Sequence, residues 1–226
     1  MKRFILSVID ILKQRKSVRA FLDKDVEKDK IITILESAKM APSGVNIQPF
    51  DVCVVSGKKK IDIETNMLKA FDKNEKEQMD YQYYPLEWKE PYKSRRKDMG
   101  LLMYQTIGLK KEDKEKQIQQ WRENYKAFGA PTVLYFFIDA VLEKGSYLDY
   151  GMFLQSVMLV ATELGLGSCP MASLAEFPSI VKKELNVGAD KILLCGIAIG
   201  YEDTNSPINS FKTNRVSLNE FTSFYE

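Results

Sequence analysis

The chain has 226 residues, 45% of them hydrophobic and 28% charged, a balance typical of a globular protein and not of a disordered or membrane-spanning chain. Its 33 basic and 31 acidic side chains leave a net charge of +2, so no overall field points to nucleic acid or a membrane surface as a partner. The sequence contains no histidine, which excludes Ser-His-Asp and Cys-His catalysis and the usual zinc sites. If the protein is an enzyme, we expect a bound cofactor to carry its chemistry.

Cysteine usage and the first residues predict where the protein resides. The three cysteines, Cys53, Cys169 and Cys195, are widely spaced and odd in number, which argues against a disulfide framework and against a metal site. Charged residues such as Asp10 and Lys13 interrupt the first apolar stretch well before the length of a transmembrane helix. We therefore expect a cytoplasmic protein without a metal.

The first half of the chain contains two predicted helices, a strand and a long polar segment. The helices span about residues 5–14 and about residues 27–42, and the β-branched and aromatic run at residues 50–55 predicts a buried strand. Residues 60–128 form a polar excursion with helical patches, such as residues 111–125. Within it the aromatic stretch from Tyr81 to Trp88 is interpreted as a lid.

The second half supplies the remaining core. Residues 132–139 predict a strand, a long apolar helix opens at Asp149, and a short helix starts at Pro178. Residues 191–200 are apolar on both faces, which places this strand inside a sheet. Without repeats or linkers, the whole chain, residues 1–226, is interpreted as a single α+β domain with an apolar tail at about residues 205–226 that needs a surface to cover it.

Three polar motifs are candidates for ligand binding. In the first, Arg15, Lys16, Ser17 and Arg19 offer the cations and the hydroxyl that bind phosphate, although a short basic cluster is more often solvated surface. The others are a proline-flanked loop with a hydroxyl and two amides that suit a planar heterocycle, and a polar C-terminal segment. Their alternative interpretations are a self-stabilised turn and an ordinary loop, respectively. The residues concerned are Ser43, Asn46 and Gln48 in the loop, and Asn209 to Arg215 in the C-terminal segment.

Neither of the two common nucleotide-binding motifs occurs. The chain has no GxxxxGK[ST] phosphate loop and no GxGxxG after a predicted strand. Together, however, the motifs RKSVRAF, APSGVNIQPF, LGLGSCPMASL, GIAIGY and N-x5-R-x-x-L resemble, in this order and through nearly the whole chain, the FMN-dependent nitroreductase family. The segments EPYKSRR and NYKAFGAP are similar to its nitrobenzoate-nitroreductase-like subgroup.

The resemblance implies a role for each motif. Arg15, Ser17 and Arg215 would bind the FMN phosphate, with Lys16 at the intervening position, and Arg19 would lie beside the pyrimidine edge of the flavin and favour its reduced form. Ser43, Asn46 and Gln48 would bind the ring or the ribityl chain. The loop Pro170-Met171-Ala172-Ser173 would cover one flavin face and present an N–H or the Ser173 hydroxyl to N5, although the sequence departs here from relatives that have an acidic residue and a glycine. Cys169 beside this loop is interpreted as a packed thiol.

The family fold implied is an α+β three-layer sandwich whose mostly antiparallel sheet is flanked by helices, in a homodimer with FMN at the subunit interface. The activity implied is ping-pong transfer of hydride from NADH or NADPH, through flavin N5, to a nitroaromatic or quinone-type acceptor, without a side-chain nucleophile. The alternatives are a flavin-dependent reductive dehalogenase, a flavin-fragmenting enzyme and a non-catalytic FMN store or sensor.

Overall fold

The centre of the fold is a four-stranded antiparallel sheet. A computed structural model of the chain describes residues 7–226. Its strands follow the order β1-β2-β4-β3, and each pairs with its neighbours in antiparallel register. The strands are Asp51–Ser56 (β1), Thr132–Asp139 (β2), Gly167–Met171 (β3) and Lys191–Gly200 (β4).

Seven α-helices accompany the sheet in the described part of the chain. They are Val8–Gln14 (α1), Lys28–Ala38 (α2), Gly57–Asp72 (α3), Tyr92–Thr106 (α4), Lys114–Arg122 (α5), Lys144–Glu163 (α6) and Pro178–Leu185 (α7). Short 3₁₀ turns connect several of them. No helix formed by residues 7–226 is both long enough and apolar enough to cross a bilayer.

Helices cover both faces of the sheet because its central strands are apolar on both sides. On one face Phe136 packs with Ile34 of α2 and Phe153 of α6. On the other face Phe137 belongs to a cluster with Ile63 of α3, together with side chains from α7. Apolar side chains that alternate along β2 thus enter two separate cores, and the result is the expected three-layer α+β sandwich.

The elements agree in type with the sequence interpretation, but several ends differ. The strands at 132–139 and 191–200 and the helix that starts at Pro178 are confirmed. The first strand lies one residue later than predicted, and α5 ends at Arg122, where a kinked 3₁₀ turn follows. Helix α6 opens at Lys144 and not at Asp149, because the turn that contains Gly145 and Ser146 is already helical.

The start of the first helix is set by a reciprocal cap. The Asp10 N–H donates to Ser7 Oγ at 3.2 Å, and the Ser7 N–H donates to the Asp10 carboxylate at 3.3 Å. This pair fixes the first described turn at Val8. Positions 5 and 6 of the helix predicted at 5–14 lie outside the described residues.

Candidate active site

A cleft of about 570 Å³ brings together the first and third polar motifs. Arg15, Ser17 and Arg19 line it on the N-terminal side, and Thr213 and Arg215 line it on the C-terminal side. Burial lowers the pKa of Arg15, and the positive charge of Arg215 lowers it further, so the two guanidiniums are close enough to repel. Among residues 7–226, neither forms an ion pair with a carboxylate. The cleft is therefore suited to an anion.

Lys16 lines the same cleft, but its ammonium group already has protein partners. Its Nζ lies 2.6 Å from a carboxylate oxygen of Glu202 and donates to the Asn209 carbonyl at 2.7 Å. These contacts join the N-terminal motif to the segment after β4. The structure thus gives Lys16 a connecting role, whereas Arg15 and Arg215 line the cleft without a carboxylate partner among the described residues.

Asn209 connects the same two segments from the buried side. Its Oδ1 accepts from the Arg19 N–H at 2.7 Å, and its Nδ2 donates to the carbonyls of Ala20 and Asp203 at 2.8 and 2.9 Å. The side chain is 2% exposed, so all three bonds are shielded from water. Asn209 consequently fixes the backbone from which Arg19 projects.

Arg19 stands where several clefts meet. Besides the cleft at Arg15, it lines one with Met99 and Trp121 and another with the segment from Pro170 to Ser173. Its Nη1 donates to the Ser17 carbonyl at 3.3 Å, and its guanidinium lies 5.5 Å from the Phe211 ring centroid. Arg19 is therefore shared by the cleft that contains the paired guanidiniums and the cleft at the end of β3.

The segment predicted as a loop at Pro170 to Ser173 is more regular than expected. Pro170 and Met171 complete β3, and a 3₁₀ turn, Ala172–Ala175, follows. The sequence interpretation missed this strand because its glycine and proline suggested a loop, whereas pairing with β4 determines its conformation. Cys169 is 2% exposed and burial raises its thiol pKa, which fits a packed thiol.

The loop with the hydroxyl and the two amides lies apart from these clefts. No residue from Ser43 to Gln48 is among the residues that line the clefts at Arg19 in the described chain. The loop is largely exposed, and Asn46 and Gln48 both adopt positive φ angles, of 59° and 50°. The Gln48 N–H donates to Ser43 Oγ at 3.0 Å, and the Gly44 N–H donates to Asp149 on α6 at 3.1 Å. The Gln48 side-chain amide donates to the Asn46 carbonyl at 3.2 Å, so hydrogen bonds within the loop and to α6 stabilise its conformation.

The aromatic stretch interpreted as a lid is divided between core and site. Tyr81 is anchored, since its hydroxyl donates to the Leu194 carbonyl at 2.8 Å. Tyr84 lines the cleft beside Pro170 to Ser173, together with Arg96, whose guanidinium lies 4.9 Å from the Trp88 ring centroid. Of the stretch from Tyr81 to Trp88, therefore, Tyr84 is the residue that lines this cleft.

Several lining residues were missed by the sequence interpretation because it assigned no binding role to the segments that contain them. Met99, Trp121, Asn124, Phe128 and Glu176 come from the excursion and from the turn after β3. One feature of the sequence could have pointed to Glu176. It is the single charged residue in an otherwise apolar stretch from Leu174 to Pro178.

Comparison with known proteins agrees with this geometry. The profile of the Nitroreductase family matches residues 12–201. Over 214 residues the chain is 34% identical to 4-nitrobenzoate reductase of Pseudomonas putida, covering 95% of this chain and 93% of the relative. It is 30% identical over 216 residues to nitrobenzene nitroreductase of Ectopseudomonas oleovorans, with 95% of both chains covered.

Solved structures give the same result. The FMN and NADPH-dependent nitroreductase NfnB from Sphigopyxis sp. strain HMH has a TM-score of 0.94 and 37% identity, covering 98% of this chain and all of that one. The FMN-dependent nitroreductase NfnB from Mycobacterium smegmatis, solved in complex with NADPH, has a TM-score of 0.91 and 30% identity, with 96% of both chains covered.

Proposed function

The chain belongs to the nitroreductase family, and on this premise we propose that it is an FMN-dependent oxidoreductase that passes electrons from NADH or NADPH to a nitroaromatic or quinone-type acceptor. The similarity to nitrobenzoate and nitrobenzene reductases, each aligned over most of its length, supports the activity. Of the similar structures, one is described as NADPH-dependent and another was solved in complex with NADPH.

The observation that carries the proposal is the pair of guanidiniums at Arg15 and Arg215. A phosphate monoester has a charge of about −1.5 to −2 at neutral pH, which two cations and the Ser17 hydroxyl would balance. The repulsion that lowers the pKa of Arg15 would be relieved by such an anion. The donor set therefore fits the phosphate end of FMN.

The cleft at the end of β3, which shares Arg19 with this one, would take the rest of the cofactor. Arg19 would lie at the pyrimidine edge, where its fixed charge favours the reduced state, and the segment from Pro170 to Ser173 would cover one ring face and offer an N–H or a hydroxyl to N5. Bound FMN supplies hydride acceptance from the nicotinamide and hydride delivery to the acceptor. Lys16, paired with Glu202, would hold the N-terminal motif in position relative to the segment after β4.

The loop with Ser43, Asn46 and Gln48 would complete the site in a homodimer. Asn46 and Gln48 are exposed, and no cleft at Arg19 in the same chain includes any residue from Ser43 to Gln48. Apolar side chains on α6, such as Leu148 and Met152, are 72% and 37% exposed and would be covered by a second copy. We therefore expect each cofactor to contact both subunits.

The test is the visible spectrum of the purified protein before and after addition of NADPH or NADH without oxygen. We expect flavin absorbance that bleaches with a nicotinamide and returns when a nitroaromatic or quinone is added. Flavin that stays oxidised would overturn the proposed activity in favour of a store, a sensor or an enzyme with another donor. Protein unable to bind FMN would contradict the cofactor assignment itself.

A further inference from the structure

Glu176 lines two clefts beside the proposed flavin-covering segment. It follows the 3₁₀ turn after β3 and lines an inner cleft of about 460 Å³ with Arg19 and the segment from Pro170 to Ser173. It also lines an outer cleft of about 590 Å³ with Phe71 and Phe177. Trp121 is the other residue common to both. The carboxyl group therefore connects the site to a separate opening.

The Glu176 carboxyl group is held by Tyr125. The Tyr125 hydroxyl donates to Glu176 Oε2 at 2.5 Å, and Tyr125 itself is 2% exposed. Burial raises the pKa of Glu176 above its usual value, and the hydrogen bond from Tyr125 partly opposes this. A larger fraction of this carboxyl group than of an exposed one is therefore protonated as the pH approaches neutrality. The other charged groups that line the two clefts are Arg19, Arg96, Asp72, Glu75, Lys76 and Glu77.

The proposed reaction requires such a group. Conversion of a nitro group to a nitroso group takes up two electrons and two protons and releases one water. Hydride that originates from the nicotinamide brings both electrons and one proton, so a second proton must come from elsewhere. The chain has no histidine, and the other titratable residues on the inner cleft are Arg19, Tyr84, Arg96 and Cys169. Guanidiniums, phenols and buried thiols release protons poorly at neutral pH, which leaves Glu176.

We propose that Glu176 donates this second proton to the acceptor and is reprotonated by water through the outer cleft. The O–H bond of the carboxylic acid breaks as a bond forms to a nitro oxygen, the N–O bond breaks, and water leaves. The carboxylate then takes a proton from solvent, so that one nitro compound, one reduced nicotinamide and one proton give one nitroso compound, one oxidised nicotinamide and one water. This inference rests on the proposed function.

The decisive variant is Glu176→Gln, whose amide oxygen can still accept from Tyr125. By stopped flow we expect reduction of the protein by NADPH to stay within about twofold of wild type, whereas reoxidation by a nitroaromatic at pH 7 slows by about tenfold or more. Reoxidation by ferricyanide, an electron acceptor that takes up no proton, should stay unchanged. Glu77→Gln, which alters a carboxylate on the outer cleft alone, is the matched control and should resemble wild type.

A second variant and a second readout exclude a merely structural effect. Tyr125→Phe removes the hydrogen bond that lowers the Glu176 pKa, so the fall in nitroaromatic reduction with rising pH should move to higher pH. In the flavin-free protein, a carboxyl group that stays protonated to higher pH than exposed carboxyl groups should give an infrared band in wild type that is missing in Glu176→Gln. The FMN dissociation constants of both variants should stay within about twofold of the wild-type value.

Two results would overturn the inference. One is nitroaromatic reoxidation at the wild-type rate in Glu176→Gln, and the other is an equal loss with ferricyanide, which would indicate damage to the site as a whole. Failure of the proposed function would give a different result from these two. In that case neither NADPH nor NADH would reduce the wild-type protein.

Discussion

The Asn209 side chain accepts a hydrogen bond from the Arg19 N–H at 2.7 Å, although 190 residues separate them. Because Asn209 is buried and donates two more bonds to backbone carbonyls, it joins the two ends of the chain at the cleft. The position of Arg19 relative to Arg215 thus depends on a residue that faces neither the cleft nor the solvent.

Asn209→Ala should therefore lower both stability and cofactor affinity. Loss of the side chain leaves the Arg19 N–H without its acceptor and removes one of the two donors to each of the Ala20 and Asp203 carbonyls. The lost bonds should cost about 1–3 kcal/mol in the free energy of unfolding. Urea unfolding and FMN titration would measure the two effects. Asn205→Ala, a change at an exposed position in the same segment, should alter neither. Wild-type stability in Asn209→Ala would contradict the assignment.

Arg15→Gln should weaken FMN binding without lowering the stability of the flavin-free protein. Loss of one charge-assisted contact to a phosphate should weaken FMN binding by about tenfold to a hundredfold, which corresponds to about 1.5–3 kcal/mol. The flavin-free protein should be as stable as wild type or more so, because the repulsion with Arg215 is removed. Quenching of flavin fluorescence and thermal unfolding measure these quantities. Lys183→Gln, which changes the net charge equally on the exposed side of α7, is the control. A parallel loss of stability and affinity would count against this role.

These residues show what the sequence could and could not predict. The unbroken apolar runs of β2 and β4 determine two central strands, and their predicted ends are confirmed. The short β3 could not be predicted, since its conformation depends on pairing with β4 and not on the propensities of Gly167 and Pro170. Likewise, the family resemblance predicted Arg15 and Arg215 as phosphate ligands, but their approach to one another depends on tertiary bonds such as those of Asn209.

Gly167→Ala should disturb the first polar motif, residues 15–19, through a steric clash. A methyl group at this position would lie 2.8 Å from Val18 Cγ2, and Val18 separates Ser17 from Arg19. Such overpacking should cost about 1–3 kcal/mol in stability and weaken FMN binding. Gly100→Ala in α4, where a methyl group would have no atom within 4 Å, should instead be neutral or stabilising by up to about 1 kcal/mol. Equal effects of the two substitutions in urea unfolding would refute the steric explanation.

Glu64 should make stability decrease with rising pH. Burial raises its pKa although Lys60 Nζ lies 2.6 Å away, so the folded protein binds this proton more tightly than the unfolded chain does. Its contribution is fully present below the unfolded pKa of 4.5 and is lost as the pH rises through the folded value. In urea unfolding from pH 4.5 to 7, Glu64→Gln should show a flatter profile than wild type, and the exposed-site control Glu115→Gln should not. Superimposable profiles for Glu64→Gln and wild type would contradict this coupling.

Leu148→Glu should separate the subunits of the proposed homodimer. Leu148 and Met152 are four residues apart on α6, so both lie on the same exposed face, and a buried carboxylate there would oppose association. Sedimentation should show a monomer with weaker FMN binding. Val141→Glu, at a position 79% exposed outside this helix, should leave the mass unchanged. A wild-type mass for Leu148→Glu would place the interface elsewhere.

The first motif also protects the edge of the sheet. Strand β3 pairs with β4 on one side, and on its other side the Val18 N–H donates to the Ser168 carbonyl at 3.0 Å, in an isolated parallel bridge between Ser17 and Ser168. An uncovered strand edge is a template for pairing with other chains. Substitutions that detach this motif should therefore promote aggregation during expression, so that loss of flavin and loss of recoverable protein arise from the same defect.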